Sequence, residues 1–144
     1  MIDRLLLDTH IALWLDGGDQ RLLPVTRTLI DSCWQTGGTI YFSAVTAWEI
    51  ALLVDTGRID LDALVEAWID RFLDRPGIAS AALGTSAACR AYQLAELPHR
   101  DPADRLLIAT AIDLACPMVT YDERIERFGR TYGRRYGFSV IGRD

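Results

Sequence analysis

The chain contains no lysine; all fifteen of its basic residues are arginine. That absence excludes a P-loop, whose lysine reaches the nucleotide phosphates. It excludes Schiff-base chemistry at a lysine. It also argues against phosphotransfer folds that pair a strand-end aspartate nucleophile with a lysine. Cysteine is scarce too. Cys33, Cys89 and Cys116 are odd in number, widely spaced and form no CxxC pair. They read as reduced packing thiols, not as a zinc site or a disulfide framework. Only two histidines are present, His10 and His99, and neither has a metal-ligand spacing. No apolar run approaches the length of a membrane span. The N-terminal MIDRLLLDTH lacks a cleavable-signal pattern. A cytoplasmic protein without membrane association is expected.

What is present suits one domain, over residues 1–144, around one core. Half of the residues are hydrophobic and 24% are charged, an ordinary globular balance. The net charge of −5 weighs mildly against a nucleic-acid binder, which usually carries a basic patch. However, Arg124, Arg127, Arg130, Arg134 and Arg135 crowd a short C-terminal stretch. They read first as a solvated helix face, and second as phosphate contacts.

Apolar runs and turn residues alternate along the chain. RLLLD (4–8) reads as a buried strand, followed by a helix over about 10–16 and a break at Gly17–Gly18. A helix over 22–35 ends at Gly37–Gly38. TIYFS (39–43) is the next strand, and Ser43 is placed to cap a helix that stops near Gly57. Residues 61–74 have helical periodicity, 77–82 suit a short strand, and 85–95 suit a helix. Asp101 and Pro102 make a strong start for a helix over 101–115, as N-cap and first helical residue. PMVTYD (117–122) is a strand ending in an aspartate, a brief helix starts at about Glu123, and FSVIG (138–142) is a last strand. The alternation implies an α/β fold, a parallel sheet with helices on both faces. Sites in such sheets form outside the carboxyl ends of the strands.

Four carboxylates stand out against that frame. Asp8 and Asp122 each follow an apolar strand. Either alone is most simply a helix cap, with Thr9 competing at the first. Together they deliver two acids to one sheet edge. Glu49 shares its wheel sector with Val45, Leu52 and Leu53, so it points with the apolar face. A charge there is costly unless paired or coordinated, and a buried salt bridge is the plain alternative. Asp104 shares its side of the helix with Leu107, Ile108 and Ala111, and its alternative is a capping arrangement with Asp101. Asp113 lies opposite and reads as a surface charge. Four converging carboxylates make a hard, all-oxygen site suited to Mg²⁺ or Mn²⁺. Such an ion polarises a phosphate and acidifies water, chemistry that suits phosphodiester hydrolysis. His10 reads first as packing or capping and second as a site contact. Thr120 reads as a strand residue or as a group orienting a carboxylate. His99 reads as exposed. Trp14 and Trp48 read as core or interface packing, with base stacking not indicated.

LLLDTHIALW (5–14), SAVTAWEIALL (43–53), HRDPADRLLIATA (99–111) and MVTYDERI (118–125) occur in that order. Together they resemble a PIN domain of the VapC type, the toxin of VapBC type II toxin–antitoxin pairs, over residues 5 to about 128. The resemblance places the family's acids at Asp8, Glu49, Asp104 and Asp122 as catalytic metal ligands, with Asp101 accessory. It implies a three-layer α/β/α fold with a central, mainly parallel sheet. It further implies Mg²⁺- or Mn²⁺-dependent endoribonuclease activity, homodimerisation, and a small cognate antitoxin that blocks the site. One departure concerns substrate contact: related sequences often carry lysine after the WEI segment, where this chain has Leu53 and Val54. A non-catalytic PIN-like binding module and another metal-dependent phosphoesterase are the competing readings.

Overall fold

The computed structural model describes residues 2–98 and 100–144. The expectation for His99 lies outside them. Five strands form one sheet in the order β3-β2-β1-β4-β5, with β1 Arg4–Leu7, β2 Thr39–Ser43, β3 Ile78–Ala81, β4 Met118–Val119 and β5 Val140–Ile141. Every pairing is parallel. The helices are α1 Thr9–Gly17, α2 Pro24–Gln35, α3 Ala44–Asp55, α4 Val65–Leu73, α5 Thr85–Arg90, α6 Pro102–Leu114 and α7 Glu123–Tyr136.

The three layers follow from strand alternation. Leu5 and Leu7 of β1 join Ile40, Phe42 and Val119 on one face, packed by Ile11, Ile30, Trp68 and Phe72 of α1, α2 and α4. Leu6 and Met118 point to the other face, against Leu107, Ile108 and Ala111 of α6 and Ile125 and Phe128 of α7. A strand buried on both faces needs an uninterrupted apolar run, which is why β1 is Leu-Leu-Leu. Among the described residues no helix is long and apolar enough to cross a membrane.

Several elements differ from their sequence reading. Helix α5 stops at Arg90 instead of running to 95. The carbonyls of Ala91, Leu94 and Leu97 turn away to accept hydrogen bonds from the buried Arg105 guanidinium. Helix α7 is not brief. It runs through Gly129 and Gly133, where close packing replaces propensity. A Cβ at Gly133 would meet the Phe138 carbonyl oxygen at 2.3 Å, so only glycine lets the returning chain lie this near. Strand β4 is only two residues long, and Thr120 continues its line with a single bond to the Ile141 carbonyl. Trp48 is no core residue; more than half of its surface is exposed.

Candidate active site

The switch point of the sheet lies between β1 and β4: from the carboxyl end of β1 the chain crosses to β2 on one side, and from that of β4 to β5 on the other. Asp8 follows β1 directly, and Asp122 ends the short extension of β4. Both cap the helices they precede: Asp8 accepts from the Thr9 N–H, and Asp122 from the Arg124 and Ile125 N–H groups at 2.9 and 3.2 Å. The capping reading and the site reading therefore hold together, because each cap leaves oxygen lone pairs facing outward.

Those pairs face one open depression of ≈ 260 Å³, which Asp8, Glu49, Asp101, Asp104 and Asp122 all line, with His10 and Arg124 among their neighbours. Asp8 is the best defined of the five. Its Oδ2 accepts the Thr120 hydroxyl at 2.7 Å, and Thr120 Oγ1 in turn accepts the Asp122 N–H at 3.0 Å. Thr120 does not touch the depression; it stands wholly buried behind Asp8 and ties the two strand-end acids together. Burial pushes the Asp8 carboxyl up to about 6. The Thr120 and Thr9 bonds oppose that rise, and the Asp122 and Asp101 charges add to it. Burial also raises Glu49, with the Thr9 hydroxyl bond opposing and the Asp8 and Asp101 charges adding.

Glu49 is half-buried at the margin of α3. The face that packs inward is Val45, Thr46 and Ile50, while Leu52 is exposed and Leu53 borders the depression. Glu49 thus lies on the inward side of α3, one turn after the buried Val45 and three residues after the buried Thr46, as the wheel places it; only Leu52 departs, being exposed. The Thr9 hydroxyl, bonded to Glu49, sets the direction of its carboxylate. Asp104 matches its sequence reading more closely: it is 9% exposed, with Leu107, Ile108 and Ala111 buried on the same side of α6. Asp101 caps that helix through the Ala103 N–H at 3.0 Å.

His10 lies beside Asp8, its Nδ1 3.6 Å from Oδ2. The contact is not an ion pair. His10 Nε2 accepts the Tyr121 N–H at 3.0 Å and so carries no proton, and burial lowers the ring's affinity for a second one. The ring also packs on Trp14, at 5.0 Å between centroids.

A PIN domain matches residues 5–131. The chain belongs to the PIN-domain family. Ribonuclease VapC22 of Mycobacterium tuberculosis (strain ATCC 25618 / H37Rv) is 31% identical to it over 120 residues, which is 83% of this chain and 88% of that protein. Among solved structures, VapBC2 from Rickettsia felis bound to a promoter DNA fragment aligns with a TM-score of 0.67 at 15% identity, over 98% of this chain and 99% of that one. DNA-bound VapBC from Salmonella typhimurium gives 0.66 at 18% identity, over 99% and 98%. At those identities the structures attest the fold of this PIN domain alone.

The donor chemistry of the depression fits a hard divalent cation. All five acids are oxygen donors, and the mutual repulsion that helps raise Asp8 is what a cation relieves. Among the described residues no group of three or more His, Cys, Asp or Glu is arranged to hold a metal ion. Mg²⁺ suits such an open set, because it keeps several waters and uses one or two direct carboxylates. Sequence reasoning missed three groups in this PIN domain: the Thr9 hydroxyl on Glu49, the buried Arg105, and Glu126, 7% exposed. Only Thr9 left a trace, as a hydroxyl adjacent to a site acid.

Proposed function

We propose that this PIN domain is a Mg²⁺- or Mn²⁺-dependent endoribonuclease, the toxin of a type II toxin–antitoxin pair, acting in the cytoplasm. One observation carries the proposal: five acids from four separate stretches of chain line a single depression at the switch point of the sheet. The relative named as a ribonuclease, 31% identical over most of both chains, supports RNA as the substrate. Asp8, Glu49, Asp104 and Asp122 are the catalytic metal-holding residues, with Asp101, Thr120 and His10 accessory.

The bound ion supplies charge neutralisation at the scissile phosphate and acidified water. The protein supplies position. Thr120 and the Thr9 N–H fix both oxygens of Asp8, so its remaining lone pairs point one way. The two caps hold Asp8 and Asp122 on rigid helix starts. Arg124, with its guanidinium 3.8 Å from Asp122, stands at the mouth to meet phosphate oxygens. His10, neutral and held by the Tyr121 N–H, keeps the wall of the site in place without adding charge.

The partner reading rests on an adjoining groove. It measures ≈ 640 Å³ and shares His10, Leu13 and Leu53 with the acid depression. Trp14, Ile59 and Leu61 give it apolar walls. Asp60 borders it, as do three acids already ion-paired: Asp16 with Arg71 and Arg75, Asp19 with Arg21, and Asp62 with Arg71. A small antitoxin segment with apolar and arginine side chains complements it, and one arginine fork laid across the acids would take the cation's place. The neighbours solved as VapBC complexes support such a partner. A homodimer is the further expectation. Its candidate contact is the apolar patch around Trp48, Leu83 and Leu106, tested by sedimentation of the wild type beside W48E.

A non-catalytic module is the competing reading, favoured by the fact that among the described residues no three acids are grouped to hold an ion. Calorimetric titration with Mg²⁺ and Mn²⁺ separates the two. The ribonuclease reading expects saturable binding that D8N abolishes; a wild type that binds neither ion contradicts it.

A further inference from the structure

A second depression, of ≈ 400 Å³, lies between α7 and the segment after β5. Tyr121 joins it to the acid site. Its ring lines the second depression, its N–H is bonded to His10, and the next residue is Asp122. Arg127, Arg130 and Arg143 line the same space. Arg130 is engaged with Glu126, four residues earlier on the helix, at 3.4 Å. Among the described residues no carboxylate lies within ion-pair distance of Arg127 or Arg143.

Arg143 is not loosely placed. The buried Glu126 carboxylate accepts the Arg143 N–H at 2.8 Å. Gly142 passes so close over that carboxylate that a Cβ there would meet Glu126 Oε1 at 1.5 Å. The Arg143 guanidinium then stacks over the Tyr121 ring, 5.3 Å from its centroid. A buried carboxylate is costly unless bonded. Here its bonds fix the backbone of a segment that presents an exposed, unpaired guanidinium beside the candidate site.

We propose that Arg127 and Arg143 form a phosphate-binding subsite that holds the RNA strand on one side of the scissile bond, with Glu126 as its positioning residue. The inference rests on the ribonuclease reading. The chain is acidic overall, so a polyanion needs local cations to reach the acid site. Guanidinium forks match phosphate oxygens, and a stacked arginine keeps its N–H edge free for them. Glu123 and Asp144 also border the space, so the strand enters by the arginine side. Contacts of this kind position the backbone and carry no sequence information.

The test is a fluorescence-anisotropy titration of labelled single-stranded RNA on the D8N chain, where cleavage is silenced, at several salt concentrations. Adding R127A and R143A should weaken binding several-fold for every RNA sequence. It should also lower the slope of log affinity against log salt by about 0.7 for each arginine removed. R134A makes the same charge change on the same helix outside the depression, and should leave the slope unchanged. E126A should reproduce the loss seen with R143A, while E126Q, which keeps an acceptor for the Arg143 N–H, should not. Should E126A fail to fold, the two surface arginine variants still decide. An unchanged slope in R127A/R143A overturns the subsite, as does an equal loss in R134A. If the wild type cleaves RNA while R127A/R143A binds it as before, the subsite alone falls. If the parent chain neither binds nor cleaves RNA, the ribonuclease reading falls with it.

Discussion

Asp8 concentrates the site's electrostatics in one side chain. Its rise from 3.8 to about 6 corresponds to roughly 3 kcal/mol against the ionised form, comparable to what one fully buried leucine contributes. The sign fixes the pH dependence. Between about pH 4 and 6 the folded protein holds a proton on Asp8 that the unfolded chain has released, so stability falls as pH rises through that window. Below it both states are protonated; above it both are ionised and the full cost is present. Melting curves in chelator should therefore show the temperature midpoint falling from pH 4 to pH 6.5 by more than in D8N. D8N should also melt higher than the wild type at pH 7 without metal, because asparagine can still cap α1 and carries no charge. Equal pH profiles for the two proteins would remove Asp8 as the source. Added Mg²⁺ or Mn²⁺ should raise the wild-type midpoint by mass action and leave D8N nearly unmoved.

At the scale of the element, α6 shows how one helix serves both fold and site. Its start was legible as Asp-Pro, and Asp101 caps it as read. Its third residue, Asp104, faces the site, while the next, Arg105, turns inward and gathers the carbonyls of Ala91 and Leu97 at 3.0 Å. Arg105 is 4% exposed, and its Nε lacks a partner. Replacing it with leucine removes a buried cation but strands those carbonyls. The net expectation is a loss of about 2 kcal/mol in urea unfolding at pH 7. An unchanged midpoint would mean that the loop satisfies itself. The same contacts explain why the end of α5 was misread. The signal that stops that helix is a guanidinium far along the chain, and no local pattern announces it. Glu49 was legible as an acid on the side of α3 that buries Val45, whereas the exposure of Leu52 was not, since α3 offers apolar residues on every side and packing chooses among them. Strand-end acids were legible because a buried apolar run must end somewhere, and a charge marks the end. The burial of Glu126 was not, because only its ion pair with Arg130 is local, and what covers it is the returning chain at Gly142 and Arg143.

Across the whole molecule, the alternation of strands and helices specified the layered parallel sheet, and the sheet order places the site. Two strands that part company at their carboxyl ends bring Asp8 and Asp122 together, and α3 and α6 bring Glu49 and Asp104 to the same place. On the proposed function, the acidic total favours an arginine-bearing inhibitor and opposes a polyanionic substrate. On the same reading, an antitoxin segment can offer arginine to the acid depression and apolar side chains to the adjoining groove, whereas RNA depends on cations at the mouth. Co-purification with a cognate antitoxin should therefore yield an inactive complex, and changing the inserted arginine to alanine should restore cleavage. A fully active complex would exclude inhibition by this route.

If these acids hold a divalent ion for RNA cleavage, the reaction must need both the ion and Asp8. Purified wild type and D8N are incubated with a mixed RNA pool, in Mg²⁺ and in chelator, and fragments are resolved by length. Cleavage should occur only for the wild type in Mg²⁺, with both the chelator and D8N arms intact. Fragmentation that persists in chelator, or that D8N performs at the wild-type rate, would mean that these acids do not hold a catalytic ion.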